Sequence, residues 1–214
     1  MGTLLRVSFP SAGSNPVQLE GRLRPMAGEG RWPAAVICHP HPLGGGDMHN
    51  NVVVAIARAL AARGVMPLRF NFRGVGGSGG EHDHGRGERT DLAGAVDWLL
   101  TRLEVDAGRI SVVGYSFGAW VALAHAQTDA RVAAVAAVSL VAKYCDVDSM
   151  QSFAGPKFFV TGESDTLAPP GALSELVDRL PPQKTLRLVP GADHFWWGRE
   201  QEVAELVAGF VAGL

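Results

Sequence analysis

The feature that most constrains the fold of this chain is a short apolar run that ends in Gly114-Tyr-Ser-Phe-Gly118 and continues into an alanine-rich helical pattern. The run predicts a strand, one sharp turn at Ser116 and a helix. Both glycines are needed because the strand and the helix pass close to each other beside a strained serine. The turn lifts the Ser116 hydroxyl above the sheet and leaves the first N–H groups of the helix unpaired beside it. Ser116 is therefore a candidate nucleophile, and the Phe117 N–H is a candidate donor to an oxyanion.

Strands and helices alternate along the chain, which predicts one α/β domain, 1–214, with a doubly wound and mostly parallel sheet. Two β-prone runs near the N-terminus predict an antiparallel hairpin at one sheet edge. The predicted strands are 4–9, 17–23, 34–38, 65–72, 110–113, 132–141, 157–161 and 185–189, and the predicted helices are 50–63, 89–103, 117–127, 171–180 and 200–210. The segment 142–156 is too short for a cap domain, which predicts an open, shallow site.

The composition argues against several classes of partner. The chain has 214 residues, of which 19% are charged, and a net charge of −2, so it has no general attraction for nucleic acid or anionic membranes. Its longest apolar run is too short to span a bilayer, and the N-terminus has no signal-peptide pattern. Its two cysteines are too few for a disulfide framework. We expect a cytoplasmic protein that acts on a small-molecule acyl substrate. The sequence does not indicate its oligomeric state.

A serine nucleophile needs a general base, and the base needs a third group that orients it. In parallel sheets the ligands bind at the carboxyl ends of the strands. His194 follows one late strand, in Pro190-Gly-Ala-Asp-His194, and Asp165 follows another, in Thr161-Gly-Glu-Ser-Asp165. The order Ser116, Asp165, His194 is the one expected for a triad on this fold.

A second oxyanion donor is expected from the loop His39-Pro-His-Pro-Leu-Gly-Gly-Gly46, which follows a buried strand. Pro40 and Pro42 have no N–H, which leaves His41 or Leu43. We favour His41, because it lies two residues beyond the end of the strand.

A metal site is the alternative interpretation of the histidine-rich segments. Pairs of metal ligands on a helix are four residues apart, and the histidines and aspartate of these segments do not have that helical spacing. The triad also explains the site without a metal, so we expect neither a metal nor a cofactor. We expect His39 to hydrogen-bond loop backbone and Arg73 to pair with a carboxylate beside the glycine loop 74–80. The candidate metal ligands in these segments are His39, His41, His49, His82, Asp83 and His84.

Taken together, these motifs resemble the α/β-hydrolase family, and within it a group of small, lidless bacterial serine hydrolases. The similarity runs from about Val17 to Phe210. It implies an α/β-hydrolase fold and a carboxylic-ester hydrolase, and it does not imply a particular substrate. The matching segments are His39-Pro-His-Pro-Leu-Gly-Gly45, Asn71-Phe-Arg-Gly-Val-Gly-Gly-Ser78, Gly114-Tyr-Ser-Phe-Gly118, Gly162-Glu-Ser-Asp165 and Ala192-Asp-His-Phe195.

Three other aspartates compete with Asp165 for the role of the acid. Asp146 and Asp148 follow a neighbouring strand, from which a carboxylate can also reach His194. Asp193 is adjacent to His194, and neighbouring side chains on a turn rarely face each other. Position and the resemblance together favour Asp165.

We therefore expect a serine hydrolase that cleaves carboxylic esters or thioesters through an acyl-enzyme. The same triad would also serve a peptidase or an acyltransferase, and a ligand-binding protein without catalysis is the remaining alternative. The segment 195–197 is expected either to wall an acyl pocket or to pack at a helix N-terminus. The tryptophans expected only to pack are Trp32, Trp98 and Trp120.

Overall fold

The computed structural model describes residues 2–214, and its central element is an eight-stranded sheet. The strands are β1 (Leu5–Pro10), β2 (Gln18–Leu23), β3 (Trp32–Cys38), β4 (Met66–Phe70), β5 (Val105–Tyr115), β6 (Val132–Val138), β7 (Lys157–Gly162) and β8 (Lys184–Val189). The helices are α1 (Asn51–Ala62), α2 (Arg86–Leu100), α3 (Phe117–Ala126), α4 (Pro170–Arg179) and α5 (Glu200–Ala212).

The strand order is β1-β2-β4-β3-β5-β6-β7-β8. The β1–β2 and β2–β4 pairs are antiparallel, and the other pairs are parallel. This arrangement confirms the predicted doubly wound sheet with an antiparallel N-terminal edge. It also brings the carboxyl ends of β3 to β8 to one edge of the sheet.

The sheet is buried on both faces because its central strands are apolar throughout. In β3, Val36 belongs to the apolar cluster that includes residues of α2, α3 and α4, whereas the adjacent Ile37 belongs to the cluster on the opposite face, with residues of α1 and α5. Successive strand residues point to opposite faces, so a fully apolar strand fits a position between two layers of helices.

The observed elements differ from the predicted ones mainly at their ends. β5 begins at Val105 rather than at residue 110, because Val105 pairs with Trp32 across an irregularity in the β3–β5 register. α2 begins at Arg86 rather than at residue 89, because the Glu88 carboxylate accepts the Gly85 N–H at 2.7 Å and stabilises an earlier start.

In the described residues 2–214, no cap domain covers the carboxyl edge of the sheet. β6 ends at Val138 and β7 begins at Lys157, and the connection contains two single turns of 3₁₀ helix, Ala142–Tyr144 and Asp148–Met150. Across residues 2–214, every helix is too short or too polar to cross a bilayer.

Candidate active site

The three residues predicted as a triad meet at the carboxyl edge of the sheet. His194 Nε2 lies 2.9 Å from Ser116 Oγ, and His194 Nδ1 lies 3.0 Å and 2.9 Å from the two carboxylate oxygens of Asp165. The exposed fractions of Ser116, Asp165 and His194 are 9%, 2% and 7%. Of the three side chains, Ser116 is the one that lines a cavity at this edge of the sheet, and the expectation of a shallow site stays a prediction. In this geometry the imidazole is placed to take the serine proton while the carboxylate holds its other nitrogen.

The turn at Ser116 has the strain that its sequence predicts. Ser116 has φ 55° and ψ −114°, a conformation that is uncommon for a residue with a side chain. A Cβ at Gly114 would lie 2.1 Å from the Gly118 carbonyl oxygen, and a Cβ at Gly118 would lie 2.4 Å from the Cys38 carbonyl oxygen. Both glycines are therefore required by the close approach of β3, β5 and α3.

Hydrogen bonds hold Asp165 in its ionised form. Its carboxylate accepts the Thr161 hydroxyl at 3.1 Å and the N–H groups of Leu167 and Ala168 at 3.0 Å and 2.7 Å. Burial by itself would raise the pKa of Asp165, but the hydrogen bonds from His194 and Ala168 outweigh it, and the pKa is lowered. The carboxylate is therefore charged at neutral pH and favours a proton on His194 Nδ1.

The other candidate acids lie elsewhere. Asp146 and Asp148 are exposed, and Asp148 is 3.8 Å from Arg179. Asp193 is also exposed, and its carboxylate accepts the N–H groups of residues 195 and 196. Of the four aspartates, the structure brings Asp165 to His194.

Two unpaired N–H groups lie near the serine. Neither the Phe117 N–H nor the His41 N–H has a protein acceptor within residues 2–214, and the Phe117 and His41 rings are 4.9 Å apart between centroids. The Leu43 N–H, in contrast, is directed to His41 Nδ1 at 3.2 Å. This pattern favours His41 over Leu43 as the second donor.

His39 and Arg73 have the structural contacts expected from the sequence. His39 Nδ1 lies 2.7 Å from the Pro40 carbonyl oxygen, and His39 Nε2 accepts the Phe72 N–H at 3.1 Å. Arg73 pairs with Asp91 at 2.8 Å. Within residues 2–214, no three His, Cys, Asp or Glu side chains are grouped in a way that would hold a metal ion.

Two contacts that orient the triad were not predicted. The Tyr115 hydroxyl donates to the His194 carbonyl oxygen at 2.7 Å. The Trp196 indole N–H donates to Ser139 Oγ at 3.0 Å, and the Ser139 hydroxyl contributes to the lowered pKa of Asp165. Ser139 and Trp196 have φ values of 48° and 59°. Such strain is concentrated at functional sites, but it is not visible in a sequence pattern.

The aromatic residues after His194 do not wall the cavity. Trp196 is fully buried in the core, whereas Phe195 and Trp197 are 51% and 73% exposed. The wall contains Phe117, Trp120 and Tyr144 instead. Trp120 packs against the core as expected, and one side of its ring also borders the cavity. The cavity has a volume of about 300 Å³, and the residues that line it are His41, His82, His84, Ser116, Phe117, Trp120, Val141 and Tyr144.

Comparison with known proteins places this geometry in a family. The family described as X-Pro dipeptidyl-peptidase (S15 family) matches residues 19–192. An uncharacterised protein of Rickettsia prowazekii is 32% identical and is aligned over 90% of this chain and 85% of its own length. Among solved structures, an α/β serine hydrolase homologue from Coxiella burnetii is 33% identical with a TM-score of 0.85 and 98% coverage of both chains. An α/β serine hydrolase without a lid from Xanthomonas campestris is 28% identical with a TM-score of 0.83, covering 97% of this chain and 94% of its own. The chain therefore belongs to the S15 family, and its fold is that of the lidless α/β serine hydrolases.

Proposed function

We propose that the protein is a serine hydrolase that cleaves carboxylic esters or thioesters of small acyl groups. The observation that carries this proposal is the hydrogen-bonded series of Ser116, His194 and Asp165, with distances of 2.9 Å at both links. A serine hydroxyl within reach of an imidazole that is itself held by a buried carboxylate is the arrangement that makes serine nucleophilic at neutral pH.

In the proposed reaction, Ser116 Oγ attacks the acyl carbon while His194 Nε2 takes the serine proton. The N–H groups of Phe117 and His41 stabilise the oxyanion of the tetrahedral intermediate. The bond to the alcohol or thiol then breaks, and His194 gives the leaving group its proton. A water molecule, deprotonated by His194, attacks the acyl-enzyme and releases the acid and the free serine.

The cavity wall supports ester cleavage over the dipeptidyl-peptidase activity for which the family is named. A dipeptidyl-peptidase has to bind a free amino terminus, which is largely cationic at neutral pH. No Asp or Glu is among the residues that line this cavity in the described part of the chain. An uncharged acyl group fits such a wall better than an ammonium group, because a buried charge without a partner is costly.

The test is the variant Ser116→Ala, assayed with para-nitrophenyl butyrate and with a fluorophosphonate probe. We expect loss of both turnover and labelling with little change in the thermal unfolding temperature. The matched control is Ser14→Ala, at an exposed position in the turn between β1 and β2. Full activity of Ser116→Ala would overturn the mechanism, and cleavage of Gly-Pro-para-nitroanilide without cleavage of esters would make the protein a peptidase.

A further inference from the structure

A second carboxylate and imidazole pair lies beside the proposed active site and has no part in the mechanism. His82 lines the cavity that contains Ser116. The His82 Nδ1 atom lies 2.8 Å from a carboxylate oxygen of Glu88, and the side chains of His82 and Glu88 are 8% and 0% exposed. A buried pair of this kind needs an explanation, because burial of polar groups costs free energy.

His82 is incompletely satisfied in the structure. Neither of its ring nitrogens has a well-aligned hydrogen-bond partner within residues 2–214, and neither contacts solvent. The Glu88 oxygen is close to Nδ1 but lies out of line with the N–H bond. A buried polar atom without a partner typically costs about 1–3 kcal/mol, so a bound group that supplied a partner would recover part of that cost.

Glu88 determines which nitrogen of His82 is available. Its carboxylate is fixed by the N–H groups of Asp83 and Gly85 at 2.9 Å and 2.7 Å. A fixed negative charge next to Nδ1 favours the tautomer with the proton on that atom. Nε2 then carries a lone pair and acts as a hydrogen-bond acceptor.

Most of the rest of the wall is aromatic. The rings of His41, His84 and Phe117 lie 5.1 Å, 4.9 Å and 5.5 Å from that of His82 between centroids, and Trp120 and Tyr144 complete the aromatic lining. Burial, together with the neighbouring His82, lowers the pKa of His41, which keeps that ring neutral at neutral pH. No Lys, Arg, Asp or Glu lines the cavity in the part of the chain that the structure describes.

We propose that this cavity binds an uncharged aromatic ring that carries a hydroxyl or N–H group, and that His82 Nε2 accepts the hydrogen bond from it. A small tilt of the imidazole that keeps Nδ1 beside Glu88 presents Nε2 to the bound ring. A volume of about 300 Å³ fits one substituted ring, at the lower end of the range for small-molecule sites. No Lys or Arg lines the cavity in the described part of the chain to pair with a carboxylate, which disfavours a ring that carries one. The inference rests on the proposed function, since the ring is part of the ester that Ser116 attacks.

The test compares pairs of esters that differ in one hydroxyl group. Methyl para-hydroxyphenylpropanoate is compared with methyl phenylpropanoate, and para-hydroxyphenylethyl acetate with phenylethyl acetate, so that the ring lies on the acyl side or on the alcohol side. We expect one of the two pairs to show about a tenfold higher kcat/KM for the hydroxylated ester, the effect of one hydrogen bond. Each ratio is measured on one preparation, so partial unfolding of a variant does not alter it.

The variant His82→Phe keeps a ring in the wall but removes the acceptor, so the ratio should fall to about one. His82→Gln keeps an acceptor and should retain part of the preference. The matched control is His49→Phe, at an exposed histidine outside the cavity lining, and it should keep the wild-type ratio.

If the wild type had the same kcat/KM for both esters of each pair, this inference would be overturned, but the proposed ester hydrolase would not. Preference for methyl para-carboxyphenylpropanoate would overturn it in favour of an anionic substrate. An unchanged ratio in His82→Phe would remove His82 from the recognition of the hydroxyl group. If the wild type cleaved none of these esters and a fluorophosphonate did not label Ser116, the proposed function would fail and this inference with it.

Discussion

Acid should destabilise the folded protein through His39, the buried histidine that follows β3. Its neutral ring donates from Nδ1 to the Pro40 carbonyl oxygen at 2.7 Å and accepts the Phe72 N–H at Nε2, at 3.1 Å. Protonation of Nε2 would leave the Phe72 N–H without its acceptor and would place a positive charge in the core. Burial accordingly lowers the pKa of His39 from 6.5 to about 4.

The size and sign of the effect follow from this pKa. Between pH 6.5 and about 4 the unfolded chain binds a proton at His39 that the folded protein does not bind, so the free energy of unfolding falls as the pH falls. The loss is about 1.4 kcal/mol for each pH unit within this window. It reaches about 2 kcal/mol at about pH 5 and about 3 kcal/mol at the lower end.

Urea unfolding at about pH 7.5 and about pH 5 measures this loss in the wild type and in His39→Gln. Glutamine offers an acceptor and a donor but does not titrate. The difference in unfolding free energy between the two pH values should be about 2 kcal/mol smaller in the variant. Burial also lowers the pKa of His125, but this residue is present in both proteins, so its contribution to the pH dependence cancels in the comparison. An identical pH difference in the two proteins would refute the argument, since His39 would then titrate alike in the folded and unfolded states.

Three further predictions concern the loop, the turn and the aromatic segment of the site. His41→Pro removes the proposed oxyanion N–H at a residue whose φ of −55° already suits proline, so kcat for para-nitrophenyl acetate should fall about 100-fold or more. His41→Ala keeps the N–H, so its kcat should fall much less. An equal fall of kcat in the two variants would mean that another residue is the donor. Gly118→Ala brings a methyl group to 2.4 Å from the Cys38 oxygen and should destabilise the protein by about 3 kcal/mol in thermal unfolding. Gly209→Ala in α5 places a methyl group where no atom lies within 4 Å, and it should stabilise the protein by about 0.5–1 kcal/mol. A Gly118→Ala variant more stable than Gly209→Ala would contradict the packing argument. Trp196→Phe loses the hydrogen bond to Ser139 and should lower kcat about tenfold with little change in KM. Trp197→Phe, at an exposed position, should change neither constant, and equal kinetics for these two variants would remove the positioning role of Trp196.

The elements of the fold could be predicted because their signals are local. A continuous apolar run such as the one in β3 identifies a strand buried on both faces, and Gly64 after α1 marks the end of a helix. The reason for Gly114 was also local, because a strand that turns directly into a helix brings Gly114 against Gly118. Gly118 is required by a distant segment, since a Cβ there would meet the Cys38 carbonyl oxygen of β3.

The parts of the site that were missed depend on contacts between distant segments. Ser139 and Trp196 are far apart in the chain, and nothing near either residue indicates that their side chains bond across the edge of the sheet. The same reason explains the early start of β5, which follows from pairing with Trp32 rather than from the residues of β5 itself. Trp120 was assigned to packing because helical periodicity does not reveal that a cavity borders one side of a ring.

The short connection between β6 and β7 has a kinetic consequence. Within residues 2–214 the segment 139–156 forms no helical lid that could open or close, so we expect the proposed turnover to have no gating step. Across a series of esters of one acid, kcat/KM reports the acylation step and should therefore rise as the basicity of the departing alcohol falls. We expect the same lidless edge to give water access to the proposed acyl-enzyme, which would favour its breakdown to the free acid over transfer to a competing alcohol.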